Sequence, residues 1–403
     1  MNKITSCTAK QITDSRGMAT IEVEITAGER EKIMASASVP AGKSTGTGEA
    51  FVIRDADGGV LSAIEKVEKE IAPKIMGKEV DSEEIDHIML TIDTTRDKRH
   101  LGANPMLGVS EAIMRLEAKM LGIPLWKLIS KRTGFTPGKP LLYMNTMNGG
   151  AHADFCLPFQ EYISVVGGAS LFEANEKAKS LFGKVKGKLD ALKNNYYYGD
   201  EGGFAAKFEK IEEPFQILTE CIAGDKDIFI AIDAAASEFY KIGNYEILGK
   251  SLSRGELFET YKYLTENFDL RSIEDPFDEK DFTGFEQMVR WFGEKTLVVG
   301  DDLTTTNPYT IKEKALRKLA NAVIIKPNQI GTMHETFEAI REARNFDWKI
   351  IVSHRSGETM DSFISDLAVG VGAYGIKAGA HTQPERNAKY ERLVEIEKEM
   401  EGK

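Results

Sequence analysis

The chain has little cysteine. Cys7, Cys156 and Cys221 lie far apart among 403 residues, and no two form a C-x-x-C pair. That excludes a disulfide framework and a zinc knuckle and favours a reducing compartment. Long apolar runs are also missing. The most apolar late stretch, Phe363 to Ile376, is interrupted by Ser365 and Asp366 and is too short to span a bilayer. The opening Met1-Asn2-Lys3-Ile4-Thr5 has no apolar signal core, so the expected location is cytoplasmic. Positive charge is in short supply, with 52 Lys and Arg against 63 Asp and Glu and a formal net charge of −11. Nucleic acid and membrane surfaces are therefore poor partners, and an anionic substrate needs local lysines, arginines or metal ions. No low-complexity segment occurs.

What is present is an ordinary globular mixture, 42% hydrophobic and 29% charged. The length exceeds what one core usually serves and suggests a small domain beside a large α/β barrel. Residues 3–39 read as a β-meander, in which Ile21, Val23 and Ile25 alternate with Glu22, Glu24 and Thr26. Asp14-Ser15-Arg16-Gly17 separates its first two strands, and the small-residue loop 41–48 is suited to approach a ligand closely. Helical stripes follow at Val60, Ile64, Val67 and Ile71, then at Ile85, Ile88, Met89 and Ile92 behind an Asp81/Glu84 capping box. A third stripe, Met106 to Met120, is ended by Gly122 and Pro124. Lys131 to Pro140 is rich in glycine and proline and reads as a linker, placing an N-terminal α+β domain at 1–132 and a second domain at 140–403, with 133–139 between them.

After the linker, short buried runs alternate with helical stretches such as Thr310–Leu319 and Thr332–Asn345. Phe229–Ile232 ends in Asp233, Leu270–Ile273 in Glu274, Leu297–Gly300 in Asp301, Ala322–Ile325 in Lys326, Ile350–Val352 in Ser353-His354 and Tyr374–Ile376 in Lys377. From Glu274 on the ends recur at roughly 25-residue intervals, about one strand plus one helix, the mark of parallel strands in a (β/α) barrel. The C-terminal strand ends of such barrels form the active site.

Asp233, Glu274 and Asp301 are three carboxylates on successive strand ends. Each alone reads equally as a helix cap or a lysine partner. As a set they would repel unless a cation sat between them, and oxygen donors without cysteine favour Mg²⁺ over Zn²⁺. Lys326 on a later strand is suited to be a general base near neutral pH if a metal and a second lysine, Lys377, disfavour its ammonium form. Glu201, in Gly199–Phe204, and Glu161, after Gln160, would share one proton if they lie close together. His152 follows Asn148-Gly149-Gly150-Ala151 and, alone, reads equally as a structural histidine. Ser353, His354, Arg355 and Ser356 gather donors on one loop, as a phosphate clamp or a well-capped turn.

Asp14–Gly17, Ser44-Thr45-Gly46, Asn148-Gly149-Gly150, Gly199–Phe204, Ser272–Pro276, Gly300–Leu303, Lys326–Gly331, Ser353–Thr359 and Glu385–Tyr390 together resemble the enolase (phosphopyruvate hydratase) family over nearly the whole chain. The resemblance implies an α/β fold: a smaller N-terminal α+β domain and a C-terminal modified TIM barrel whose early strands are not all parallel. It implies a hydro-lyase of glycolysis and gluconeogenesis that interconverts 2-phosphoglycerate and phosphoenolpyruvate with two Mg²⁺ ions. By resemblance, Asp233, Glu274 and Asp301 hold the first Mg²⁺ and Ser44 the second, with Asp301 also beside the substrate. Lys326 is then the base and Glu201 the acid. His152, Glu161 and Lys377 contact substrate, and Ser353, His354, Arg355 and Ser356 lie at its phosphate. A homodimer or an octamer of dimers is implied.

The chain departs from the family's usual pattern at Met18-Ala19, at Ala41 and Lys43, at Asn194–Tyr198 and at His381–Pro384. Lys43 in the ligand loop raises a second reading, a paralogue acting on another phosphorylated or hydroxy acid. A non-catalytic scaffold on the same frame predicts decay of the metal and base positions, and Asp233, Glu274, Asp301, Lys326 and Glu201 all remain. A Schiff-base aldolase barrel would not need three strand-end carboxylates.

Overall fold

The computed structural model describes residues 3–28, 31–43 and 46–402. Ser44 of the ligand loop lies outside them. The N-terminal part opens with an antiparallel meander of β1 (Ile4–Thr13), β2 (Ala19–Ala27) and β3 (Ile33–Ser38). Ile21, Val23 and Ile25 of β2 are fully buried, whereas Glu22, Glu24 and Thr26 face partly outward, as the alternation predicts. The buried face packs on α4 (Ala103–Met120), which is buried almost all round.

Residues 61–75 form one helical stretch, α1 (Leu61–Glu65), a π-helical turn (Lys66–Ile71) and α2 (Ala72–Ile75). In α3 (Ser82–Ile92) the capping is one-sided: the Asp81 carboxylate accepts from the Glu83 and Glu84 amides, while the Glu84 carboxylate turns to Lys78. The expected reciprocal box is therefore only half built. α5 (Leu125–Thr133) ends on Gly134 in a left-handed cap. Lys131, Arg132 and Thr133, assigned to the linker by composition, are thus its last turn.

The barrel follows. Its staves, in order around the circle, are β4 (Leu141–Asn148), β5 (Glu161–Val166), β8 (Ile228–Asp233), β12 (Leu270–Glu274), β13 (Leu297–Gly300), β14 (Ala322–Ile325), β15 (Lys349–Ser353) and β16 (Gly375–Lys377), and β16 pairs with β4 to close it. Only β5 runs against its neighbours. A small hairpin, β6 (Tyr196–Tyr198) and β7 (Phe204–Ala206), adds to β4, and a separate sheet of β9 (Tyr240–Lys241), β10 (Asn244–Ile247) and β11 (Lys250–Leu252) precedes α8 (Arg254–Asn267).

The staves are buried on both faces, which is why they read as continuous apolar runs. Tyr143, Ile163, Val165, Ala231, Val299, Ala322, Ile324 and Ile351 fill the interior, and their neighbours Ile230, Ile232, Val298, Val323, Ile325, Ile350 and Val352 join the larger core outside the barrel wall. The helices α6 (Leu171–Ala191), α7 (Glu213–Ile222), α9 (Phe282–Phe292), α10 (Pro308–Leu316), α11 (Met333–Asn345), α12 (Phe363–Gly370) and α13 (Pro384–Met400) complete the fold. No described helix is long and apolar enough to cross a membrane.

Candidate active site

Every parallel stave from β8 to β16 delivers the polar residue at its C-terminal end to the same rim. β5 runs the other way, so its first residue, Glu161, reaches that rim instead, level with Asp233. The loop after β4 brings His152, and the turn before β7 brings Glu201. A cavity of about 480 Å³ opens here, lined among others by His152, Glu161, Glu201, Asp233, Asp301, Lys326, Ser353, His354, Arg355, Ser356 and Lys377.

Two lysines organise the charges. Lys377 Nζ lies 3.0 Å from Glu161 Oε1, 3.1 Å from Asp233 Oδ2 and 2.8 Å from Glu274 Oε2. Burial works against its charge, but Asp233, Glu161 and Glu274 win and hold the ammonium well above its usual range. Lys326 donates to Asp301 Oδ2 in a short ion pair. Burial lowers the affinity of Lys326 for its proton, yet Asp301 outweighs it and lifts the pKa to about 12. The Asp301 contact therefore favours the ammonium form of Lys326, and the expected role as base turns on a cation drawing Asp301 away. Burial likewise raises Asp301, but Lys326 and Lys377 hold it below the usual carboxylate range.

The strand-end carboxylates divide between these lysines. Asp233 and Glu274 share Lys377, whereas Asp301 clusters with Asp275 and Asp302, ligand-capable atoms of all three lying within 4.8 Å of one another. Asp275 takes a left-handed φ of 40°, and its carboxylate accepts from the Asp301 amide at 3.1 Å and the Asp302 amide at 2.7 Å. Burial and Asp302 push Asp275 well up, and burial and Asp301 push Asp302 up to about 8. Burial and Asp233 raise Glu274 as well. Gln329 Nε2 donates to Asp301 Oδ1 at 3.0 Å, and Thr306 Oγ1 receives the Lys326 amide at 2.9 Å and donates to Gln329 Oε1 at 2.7 Å. Asp275, Asp302, Thr306 and Gln329 were not singled out from the sequence; only the adjacency of Asp275 and Asp302 to the strand ends pointed to them.

This donor set fits metal cations. Seven carboxylates face the cavity against three basic side chains, no thiol is present, and the Lys377 ammonium occupies the kind of three-carboxylate cradle a cation takes. Burial first and neighbouring carboxylates second raise Glu274, Asp275 and Asp302, a strain that a bound cation would relieve.

Glu161 and Glu201 do lie together, with His152 as third member of a group whose donor atoms are within 4.8 Å. Burial and the Glu201 charge push Glu161 well up. Glu201 lies below the usual carboxylate range despite its burial, with His354 and His152 beside it, the charges of Arg386 and Lys377 close by, and Asn145 Nδ2 donating to its Oε2 at 2.8 Å. The pair thus splits, with Glu161 favouring its protonated form and Glu201 its charged one. Burial keeps His354 and His152 toward the neutral form. Arg386 donates to His354 Nδ1, so the remaining hydrogen sits on Nε2, 3.5 Å from Glu201 Oε1. Both ring nitrogens of His152 are buried without a hydrogen-bond partner among the described residues, as suits a group awaiting a ligand.

Arg355 forks onto Glu49, Nη1 at 2.9 Å and Nη2 at 3.1 Å, and also donates to Asn328 Oδ1. Its fork thus already faces one anion. Ser356 Oγ accepts from Arg16 at 3.3 Å, and Ser353 Oγ donates to the His354 carbonyl. The ligand loop roofs this side. Ala41 forms a two-bond antiparallel bridge with Gly357, Lys43 Nζ donates to Asp200 Oδ2 at 2.9 Å and to the Ala151 carbonyl at 3.0 Å, and Thr47 Oγ1 donates to Glu279 at 2.6 Å. Gly42 passes so close to Arg355 that a Cβ would lie 2.0 Å from Nη2.

Two family models cover this architecture, the enolase N-terminal domain over residues 4–129 and the enolase C-terminal TIM barrel domain over residues 138–403. The chain belongs to the enolase family. It is 42% identical to a Thermococcus gammatolerans protein named "Enolase", over 99% of this chain and 96% of that one. It is 41% identical to proteins of that name from Methanopyrus kandleri, over 100% and 97%, and Neorickettsia sennetsu, over 98% and 99%. The antiparallel β5 is the departure from an all-parallel barrel that the resemblance implies.

Proposed function

We propose that this enolase-family protein catalyses the Mg²⁺-dependent, reversible dehydration of 2-phosphoglycerate to phosphoenolpyruvate. The observation that carries this reading is the opposition, across one buried cavity, of Lys326 with its carboxylates to the Glu161/Glu201 pair. Asp233, Glu274 and Asp301 would hold one ion, and by resemblance Ser44 a second. Bound there, Mg²⁺ balances the second negative charge that builds on the substrate carboxylate as the neighbouring carbon loses its proton.

Lys326 Nζ accepts that proton. Its ammonium form depends on Asp301; with Asp301 and Glu274 engaged as ligands, the charges of Arg355 and Lys377 beside it would favour the neutral amine. Lys377 stays charged and neutralises the carboxylate end of the substrate. At the far side the leaving hydroxide needs a proton. An arriving anionic substrate repels the Glu201 charge, drawing the shared proton from Glu161 to Glu201, which delivers it. His152 orients the leaving group, and Arg355 and Ser356, with Ser353 and His354 behind them, hold the phosphate.

The purified chain with Mg²⁺ should form phosphoenolpyruvate from 2-phosphoglycerate in a coupled assay, lose that activity in EDTA, and regain it on Mg²⁺ addition. No product from the Mg²⁺-loaded wild type would sink the proposal. Lys43 bears on the reading of a retuned substrate: its ammonium is engaged by Asp200 and Ala151 at the rim, which supports a role in holding the loop over one in choosing the acid. A screen of phosphorylated and unphosphorylated 2- and 3-hydroxy acids checks this, with 2-phosphoglycerate expected to be turned over fastest.

A further inference from the structure

α3 of the N-terminal part lies against α11 of the barrel. Each helix carries a carboxylate and an imidazole one turn apart, Glu83 with His87 and His334 with Glu338. Residues four apart share a helix face. Donor atoms of Glu83, His87 and His334 all lie within 4.8 Å of one another, the two imidazole centroids are 4.4 Å apart, and Glu338 Oε1 is 3.8 Å from His334 Nε2. None of these residues borders the barrel-mouth cavity.

Two further observations point to a ligand. His87 Nδ1 lies 2.7 Å from the Glu83 carbonyl oxygen. A carbonyl only accepts, so Nδ1 carries the hydrogen and Nε2 presents a lone pair, which is how metal-binding histidines are usually oriented. The second is Asp86, which is 1% exposed and lines the same cavity as Glu83 and His334. Its Oδ2 accepts from the His334 amide at 2.9 Å and from Ser110 Oγ at 2.9 Å, which in turn receives the Met333 amide. Its Oδ1 is buried without a hydrogen-bond partner among the described residues. The backbone of His334 is thereby fixed against α3 and α4 before any ion arrives.

We propose that Glu83, His87 and His334, with Glu338 as a fourth donor, form a transition-metal site, selective for zinc over magnesium, that clips α3 to α11. Two imidazoles with carboxylates are a zinc donor set and a poor magnesium one. Ligands around a tetrahedral zinc bonded at about 2.0–2.1 Å stand roughly 3.4 Å apart, so modest rotation of the exposed Glu83 and His87 side chains closes the gap. Arg132 Nη1, 3.6 Å from Glu83 Oε2, is the competing partner that zinc displaces.

The test uses the full chain with excess Mg²⁺, so that the carboxylate-rich barrel site is filled, dialysed against micromolar Zn²⁺ and analysed for metal per chain. Wild type should retain one zinc more than a His87→Ala/His334→Ala double variant, and Glu83→Gln should weaken retention about tenfold. Zinc should raise the unfolding midpoint of the wild type and leave that of the double variant unmoved. Mg²⁺-supported turnover without zinc should match in both, which certifies the variant's fold. If the double variant does not fold, His87→Gln takes its place. Equal zinc retention in wild type and variant, or none in the wild type, overturns the proposal. The count of bound metal does not depend on the reaction assigned to the barrel mouth.

Discussion

The two sides of the barrel mouth are built differently. From β8 through β12 to β16 each parallel stave contributes one polar residue at its end, and all but Ser353 form ion pairs directly: Lys377 with Asp233 and Glu274, Lys326 with Asp301. On the side of β4 and β5, loops and a reversed stave bring in His152, Glu161 and Glu201, and a buried amide, Asn145, supports them. The parallel arc holds charge through opposite charge. The antiparallel side holds two carboxylates together, Glu161 anchored to Lys377 and Glu201 to the neutral donor Asn145. Removing Lys377 strands carboxylates on both sides, whereas removing Asn145 leaves Glu201 short of one neutral donor.

The largest effect should come from the arc. Lys326→Ala should cost roughly 10²–10⁴-fold in kcat for phosphoenolpyruvate formation with little change in KM. A raised KM with kcat intact would make the arc a binding surface only. Next is Gln329→Leu, which removes the donor that orients Asp301. Its Mg²⁺ activation midpoint should rise about 10–100-fold, the usual cost of losing an outer-shell partner. An unchanged Mg²⁺ titration would uncouple Gln329 from the ion.

On the antiparallel side, Asn145→Ala removes a hydrogen bond to a carboxylate worth about 1.5–3 kcal/mol. The limb of the pH–rate profile belonging to the Glu161/Glu201 pair should move up by about one unit or more. If the limb stays put while the rate falls, the two acids do not share a proton through this network. A smaller effect is expected at the roof, where Lys43→Ala breaks a half-exposed ion pair worth about 0.2–1 kcal/mol, so KM should rise less than about fivefold, and less still at high salt.

The smallest effect concerns stability. His381 donates to Asn175 Oδ1, stacks on Tyr390, and is lowered to about 4 by burial. The unfolded chain, where the imidazole titrates near the ordinary histidine value of 6.5, binds a proton first as pH falls. The stability that the neutral ring contributes is therefore present above about 6.5 and is lost as pH drops toward 4. Thermal unfolding midpoints should fall over that window in wild type and fall less in His381→Gln, which keeps the donor without the titration.

The arc was legible in the sequence for a physical reason. A stave buried on both faces needs an unbroken apolar run, and the polar residue closing each run marks the rim, so Asp233, Glu274, Asp301, Lys326, Ser353 and Lys377 could be placed on one end of one barrel. The meander was legible because β2 has one wet face. The direction of β5 was not readable from its own residues, since a buried antiparallel stave has the same apolar run as a parallel one. Gln329 and Thr306 were invisible because a side chain that folds back to support a neighbour leaves no periodic trace, and Asp275 showed only as the neighbour of a strand end. Which of Glu161 and Glu201 carries the proton depends on His354, His152 and Asn145, groups distant in sequence and set only by the fold.

The roof formed by Ala41, Gly42, Lys43 and Thr47 has a kinetic consequence. It is pinned to three banks, at Gly357 by backbone bonds, at Asp200 by an ion pair and at Glu279 by a hydroxyl, and Gly42 lies flush on the guanidinium of Arg355. If the exit runs beneath it, the residence time of a bound molecule would depend on a handful of weak bonds remote from the proton transfers. Warming or added salt would then shorten the stay of product before touching the proton transfers, and the enzyme's pace would be metered at its door.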